Sequence, residues 1–391
     1  MATEMTIRFS SKIEKLPPYP FAVIDQMKSD AIRQGVDLID LSIGDPDLPT
    51  PQPVIDAMKE AIQKPENHHY PSYVGMLKFR EAVASWYSKR FNVTLNPDSE
   101  ILTLIGSKEG IGHIPTAFID SGDIVLASSP GYPVYAVSAT LAGGDAYLLP
   151  LYAENNYYPD LKSIPGYILR RSKLLFLNYP NNPTSAMATE DFFKQVRDFA
   201  YKNNIIVCHD AAYSELYFDH NKPLSFLEVD GAKEVGVEFH SLSKTYNMTG
   251  WRIGFACGKA KVLEGLGKIK TNIDSGVFQA IQEAGIKALA LDESVVQSIR
   301  SIFQERRDIL YKGLVDLGIH AARPLATFYL WAKVPYGQKS VDFVARVLKD
   351  TGILTTPGNG FGQHGEGYFR FALTQTTERL KEAVERLRKI L

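Results

Sequence analysis

Between Ser241 and Gly254 the chain reads Ser-Leu-Ser-Lys-Thr-Tyr-Asn-Met-Thr-Gly-Trp-Arg-Ile-Gly. Lys244 follows two small hydroxyl residues, Ser241 and Ser243, and Arg252 comes eight positions later in a glycine-bounded turn. One amine, two hydroxyls and a guanidinium this close together suit a phosphorylated aldehyde. The amine can condense with the carbonyl as a Schiff base while the other groups hold the phosphate dianion. A lone Ser-x-Ser-Lys would read equally well as a serine-rich turn carrying a surface lysine. The attached Trp251-Arg252-Ile253-Gly254 favours the chemical reading.

Other residues carry weaker signals. Gly106-Ser107-Lys108-Glu109-Gly110 opens a helix after an apolar run, and free N–H groups at a helix N-terminus attract phosphate. A plain glycine-flanked cap would look the same. Asp210 closes the run Ile205-Ile-Val-Cys-His-Asp210, where an aspartate could simply cap the next segment. Asn178-Tyr-Pro-Asn-Asn-Pro-Thr184 is by itself a good turn and helix start. Arg370, in Tyr368-Phe-Arg-Phe-Ala-Leu373, could be an exposed ion-pair partner. The adjacent His68 and His69 lack further ligands at suitable spacing, so no metal site is expected.

These residues need elements to position them. Leu102–Gly106, Asp123–Ala127, Lys173–Asn178, Ile205–Asp210 and Val237–Ser241 read as buried strands, with helical spacing between them, as in Thr189–Ala200. The alternation predicts an α/β fold with a mostly parallel sheet covered on both faces. Ser107, Asn178, Asp210 and Ser241 then fall where strands end, which is where open α/β sheets bind ligands. From about residue 280 the pattern changes to long charged helices, one including Ser294 to Leu317 and one from Thr377 to Leu391. Strand-like pieces at Thr327–Ala332 and Gly367–Ala372 lie between them. We expect a large unit over 46–280, a smaller α+β unit over 281–391, and an N-terminal segment, 1–45, that joins the smaller one.

Composition narrows the function classes. The 391 residues carry a formal net charge of −1, so no basic excess points to nucleic acid. Cys208 and Cys257 both lie in apolar runs and read as buried thiols in a reducing compartment. The N-terminus lacks the pattern of a signal peptide, and no apolar stretch is long enough to cross a bilayer. A cytoplasmic protein without membrane or nucleic-acid partners is expected.

Taken together and in order, these motifs resemble those of the fold-type I, pyridoxal-phosphate (PLP) aminotransferases, class I/II. The likeness runs from about Tyr19 to Arg370. It implies that Lys244 holds PLP and moves the proton during transfer. It further implies that Asp210 pairs with the pyridine nitrogen, and that Asn182 and Tyr213 face the ring hydroxyl. Tyr132 would stack on the ring. Ser107, the backbone of Lys108, Ser241, Ser243 and Arg252 would hold the phosphate. Tyr70, five residues before Gly75, would cross a dimer interface to the neighbouring subunit's phosphate, giving a homodimer with shared sites. Arg370 would clamp the substrate α-carboxylate, helped by Asn182 and Gly44. Ser185, after Pro183-Thr184, stands where the family often has glycine or alanine.

The likeness also bears on the substrates, an amino acid and a 2-oxo acid. Ile105–Pro115 and Ser241–Gly250 look most like the members that act on LL-2,6-diaminopimelate with 2-oxoglutarate in lysine synthesis. Tyr19 matches a substrate-site tyrosine of that group, and Lys108 stands where a cation could meet a distal carboxylate. Glu109 adds an anion beside it, although adjacency does not place both in one pocket. An enzyme for aspartate, alanine or another small amino acid would share every PLP residue named. A PLP-dependent C–S lyase would keep the lysine, aspartate and arginine.

Overall fold

A computed structural model describes residues 7–390. The reading of the first residues as leader-free, and the last residue of the C-terminal helix, lie outside it. Among the described residues there are twelve strands: β1 (Ile39–Asp40), β2 (Ile101–Leu104), β3 (Ile124–Ser129), β4 (Asp145–Pro150), β5 (Ser172–Asn178), β6 (Ile206–Asp210), β7 (Gly236–Ser241), β8 (Gly254–Gly258), β9 (Tyr329–Lys333), β10 (Ile353–Leu354), β11 (Thr356–Pro357) and β12 (Tyr368–Ala372).

Seven of them form one sheet in the order β2-β8-β7-β6-β5-β3-β4. All run parallel except β8, which is antiparallel to both neighbours. Alternation along the strands explains why both faces must be covered. Leu175 and Leu177 of β5 pack into one core with Leu126, Val207 and Phe255. Leu174 and Phe176 enter a second, with Val125, Cys208 and Phe239. Strands apolar on both faces read as continuous hydrophobic runs, and helices must bury them. The helix Glu190–Asn203 is one such cover. Thr189 caps it by accepting from Phe192 N–H at 3.2 Å, worth about 1 kcal/mol, and Phe192, Phe193, Val196 and Ala200 are its buried face.

One buried charge lies inside the sheet. Burial alone would raise Glu238, but His209 at 2.5 Å and His240 hold it well below the usual carboxylate range. Ser225 and Phe226 N–H also bind this carboxylate, so its lone pairs are satisfied as a buried ion requires.

A third core gathers Ile39, Leu41, Phe303, Leu310, Leu330, Phe343, Phe369, Phe371 and Leu380. It covers the antiparallel sheet β11-β12-β9, and β1 pairs parallel with β10, fastening the N-terminal segment here. Around the large sheet the first core runs past residue 280, through Ala284, Ala288 and Val296, whereas Ile299 already belongs to the third core. We propose that the two units meet inside the helix Glu293–Asp316 rather than at 280. Cys208 and Cys257 are both buried and unbridged. No helix among the described residues is long and apolar enough to cross a membrane.

Candidate active site

The sheet order lays out the chemistry. Side by side at one edge lie the ends of β2 (Ser107), β8 (Arg252 just before it), β7 (Ser241), β6 (Asp210) and β5 (Asn178), at about 5 Å per strand. A cavity of about 430 Å³ opens on that edge. Its lining includes Ser107, Lys108, Tyr132, Asn182, Asp210, Tyr213, Ser241, Ser243, Lys244, Arg252 and Arg370, together with Tyr19 and Gly44. Of the residues that the resemblance gives a cofactor or substrate role, Tyr70 is not brought there. It is 89% exposed.

The lysine sits on a one-turn helix after β7. Its Nζ donates to the carbonyl of Gly44 at 2.7 Å. Burial pushes its pKa down to about 8; Asp45 opposes the shift, and Arg252 and Arg370 add to it. A neutral amine is the form that attacks a carbonyl. The fraction of neutral amine in the cofactor-free protein therefore rises with pH and saturates above about 8. Stopped-flow absorbance should show PLP capture accelerating by about tenfold per pH unit below that point and levelling off above it. A rate that climbs unabated to pH 10 would contradict the shift.

The residues expected at the phosphate would fit such a group. Ser107 begins the helix Ser107–Phe118. The guanidinium of Arg252 donates to the Thr249 carbonyl at 2.8 Å and lies 3.5 Å from Ser243 Oγ. Gly106 has φ +74°, and a Cβ there would collide with that guanidinium. The turn therefore needs glycine for both its conformation and its clearance. An arginine, three serines and a helix start enclose this part of the cavity, and no carboxylate pairs with Arg252 among the described residues.

The other end of the edge carries the anion. Burial raises the pKa of Asp210, while the Tyr135 hydroxyl, donating to Oδ2 at 2.8 Å, and the Ala212 N–H hold it down. A buried carboxylate with one side-chain donor has spare capacity for a cationic ring N–H. Tyr213 Oη is 3.0 Å from Tyr329 Oη. Asn182 Oδ1 accepts from Arg370 Nη1 at 2.8 Å. The second guanidinium nitrogen donates to the Ser42 carbonyl at 2.5 Å, and the group stacks 4.1 Å from the Tyr329 ring centre. Arg370 is buried, its fork is held by Asn182 and the Ser42 carbonyl, and burial lowers its pKa. A planar, oriented guanidinium on the cavity wall suits a carboxylate.

Several neighbours carry no role in the sequence reading. Tyr135 stacks on Phe176 at 5.1 Å and stands edge-on to Tyr132. Asn178 Nδ2 donates to the Asp210 carbonyl at 2.7 Å, and its Oδ1 accepts from Asn182 N–H at 2.7 Å, tying the two loops together. Its place at the strand end was the available signal. Tyr329 sits over Gly44, where any Cβ would strike its hydroxyl. Ser185 adopts φ +60°, a conformation that favours glycine. Its hydroxyl is held by Thr327 Oγ1 at 2.7 Å and the Tyr329 carbonyl at 2.8 Å.

Lys108 and Glu109 part company. Lys108 lines the cavity, 5.6 Å from the Tyr19 ring centre and 5.8 Å from that of Tyr132. Glu109 turns away to the buried Lys270 at 3.0 Å and to His113 at 2.9 Å. Asp274 also binds Lys270, at 3.0 Å, so an ammonium already sits among these three metal-capable side chains.

Known proteins are similar along nearly the whole chain. The family model of aminotransferase class I and II matches residues 36–387. LL-diaminopimelate aminotransferase of Aquifex aeolicus is 55% identical over 382 residues, covering 98% of this chain and 99% of that protein. Among solved structures, substrate-bound BacF from Bacillus subtilis superposes with a TM-score of 0.94 at 37% identity, covering 99% of this chain and 98% of BacF. A single mutant of Thermus thermophilus aspartate aminotransferase does so with a TM-score of 0.92 at 27% identity, covering 99% and 100%.

Proposed function

The chain belongs to aminotransferase class I and II, and from that premise we propose that its donor is LL-2,6-diaminopimelate and its acceptor 2-oxoglutarate. It is a PLP-dependent aminotransferase of the α/β fold-type I. Identity of 55% over 98% of the chain to an enzyme named for that donor carries the substrate reading. A donor–acceptor screen tests it. LL-diaminopimelate with 2-oxoglutarate should be the best pair. Rapid turnover of aspartate or alanine with none of LL-diaminopimelate would favour the small-amino-acid reading. Release of pyruvate and ammonia from cystathionine without an oxo acid would reveal a C–S lyase.

Bound PLP supplies an electron sink for the charge left when the substrate Cα loses its proton. Asp210 would hold its ring nitrogen, Asn182 and Tyr213 its ring oxygen, Tyr132 its face, and Ser107, Lys108 N–H, Ser241, Ser243 and Arg252 its phosphate. The remaining work falls to side chains. Arg370 takes the donor's α-carboxylate in a two-pronged grip, which turns the Cα–H bond rather than the carboxyl bond toward Lys244. Nζ of Lys244 accepts that proton and later returns one, as base and then acid. Its depressed pKa keeps a useful share of it neutral at physiological pH. Asn182 keeps the Arg370 fork aligned through its 2.8 Å bond. Donor and acceptor use the same groups in turn, so the kinetics should be ping-pong.

Tyr70 completes the phosphate site from a second copy in this reading. It stands in a stretch of exposed apolar side chains that includes Tyr73, Val74 and Leu77, which suits an isologous interface. Tyr70→Phe should weaken PLP retention during dialysis while the thermal unfolding midpoint stays unchanged. A fully active monomer at assay concentration would exclude a shared site.

A further inference from the structure

The cavity carries a charge that none of the roles above uses. Asp25, on the helix Pro20–Arg33, lines the cavity with Tyr19 and Lys108. Among the described residues its carboxylate enters no ion pair and no hydrogen bond. Only its backbone carbonyl is engaged, by Ser29 Oγ at 2.8 Å. Lys108 likewise has no acidic partner there and meets only the rings of Tyr19 and Tyr132. Tyr19 links the two. Its ring lies 5.6 Å from the Lys108 ammonium, and its hydroxyl is raised first by burial and then by the Asp25 charge. Glu109, the chain neighbour of Lys108, is by contrast matched with Lys270. Here an anion and a cation flank one tyrosine and stay apart.

We propose that Asp25 is a specificity-determining residue that receives the ammonium of the donor's far end while Lys108 takes the far carboxylate. The inference rests on the diaminopimelate reading and deepens it. LL-diaminopimelate ends in a second α-amino acid, so its far end presents both charges on one carbon. An exposed aspartate on a helix is ordinarily a solvated side chain of little energetic weight. A substrate that displaces water from it strengthens the attraction. Two oppositely charged contacts, with the chain direction set by Arg370, also fix the configuration at the far carbon. The meso isomer, reacting at its L end, would offer its ammonium and carboxylate the wrong way round.

The test compares kcat/KM for LL-diaminopimelate, L-2-aminopimelate and L-lysine on the PLP-loaded full chain. L-2-aminopimelate keeps the chain and both carboxylates but lacks the far amine. Lysine keeps the far amine and lacks the far carboxylate. Asp25→Asn should lower the preference for LL-diaminopimelate over L-2-aminopimelate at least tenfold, and Asp25→Glu should restore much of it. Lys108→Ala should instead lower the preference over lysine. Preference for LL over meso should fall in both Asp25→Asn and Lys108→Ala. Wild-type preferences in an Asp25→Asn protein that is folded and carries its full PLP content would overturn the role of Asp25 and leave the substrate reading standing. A wild type that ignores LL-diaminopimelate would overturn the substrate reading itself, before any variant is made.

Discussion

Lys244→Ala should lower turnover by about 10⁴-fold, the upper end of what one positioned acid–base group supplies. The cavity offers no understudy. Among the described residues Lys108 is the only other lysine in its lining, and its ammonium lies by the rings of Tyr19 and Tyr132 rather than beside Gly44. The loss should be chemical rather than structural. Lys244 makes one hydrogen bond, to the Gly44 carbonyl, while Arg252, Ser243 and Asp210 keep partners of their own. The variant should therefore still bind PLP, held by phosphate and ring contacts alone. Borohydride treatment of the wild type should attach the cofactor to one peptide, the one containing Lys244, and the variant should give no such product. A labelled peptide carrying any other lysine would overturn the assignment. Rescue by added methylamine would separate loss of the proton carrier from collapse of the site.

Much of this arrangement was legible in the residues. Strands apolar on both faces, such as β5 and β6, leave continuous runs that a sequence reading can find. β4 escaped because it lies at the sheet edge, where Asp145 is exposed and its neighbours are half-buried, so its pattern is diluted. β8 is a short run straight after the Arg252 turn and was visible only as the apolar setting of Cys257. The residues at strand ends stood out because each sits beside a turn signal. Tyr135 did not. Its bond to Asp210 joins positions 75 apart in sequence, and nothing local marks a tyrosine three places after Tyr132 as a partner for a carboxylate. Glu109 shows the same limit from the other side. One step along a helix rotates a side chain by about 100°, which turns Glu109 from the cavity of Lys108 toward a lysine 161 positions away. Asp25 reads in sequence as one more helix charge. Only its place on the cavity wall, without a partner, distinguishes it.

Arg370→Ala should impair every amino-acid donor to a similar degree. Truncating one member of a buried charged pair typically costs about 2–5 kcal/mol, since the partner is left desolvated. That corresponds to about 30- to 4,000-fold in kcat/KM. The α-carboxylate is common to all donors, so alanine, glutamate and LL-diaminopimelate should fall together. Lys108→Ala should differ, because its ammonium can meet only a distal group. Donors with a far carboxylate should lose more than alanine does. Lys108 also lies in the first turn of the helix Ser107–Phe118, at the proposed phosphate site, so PLP content has to be measured beside the rates. Arg370 has structural partners as well, Ser42 carbonyl and Asn182, and its removal could disturb the loops it joins. Arg370→Lys separates the two effects. It keeps the positive charge but loses the planar fork that grips Asn182 and a carboxylate at once. If the clamp is what matters, Lys at 370 should recover part of the binding while kcat stays depressed, because the Cα–H bond is no longer held toward Lys244. Unequal losses among donors for Arg370→Ala, with alanine spared, would place Arg370 at the far end of the substrate and reverse its role with Lys108.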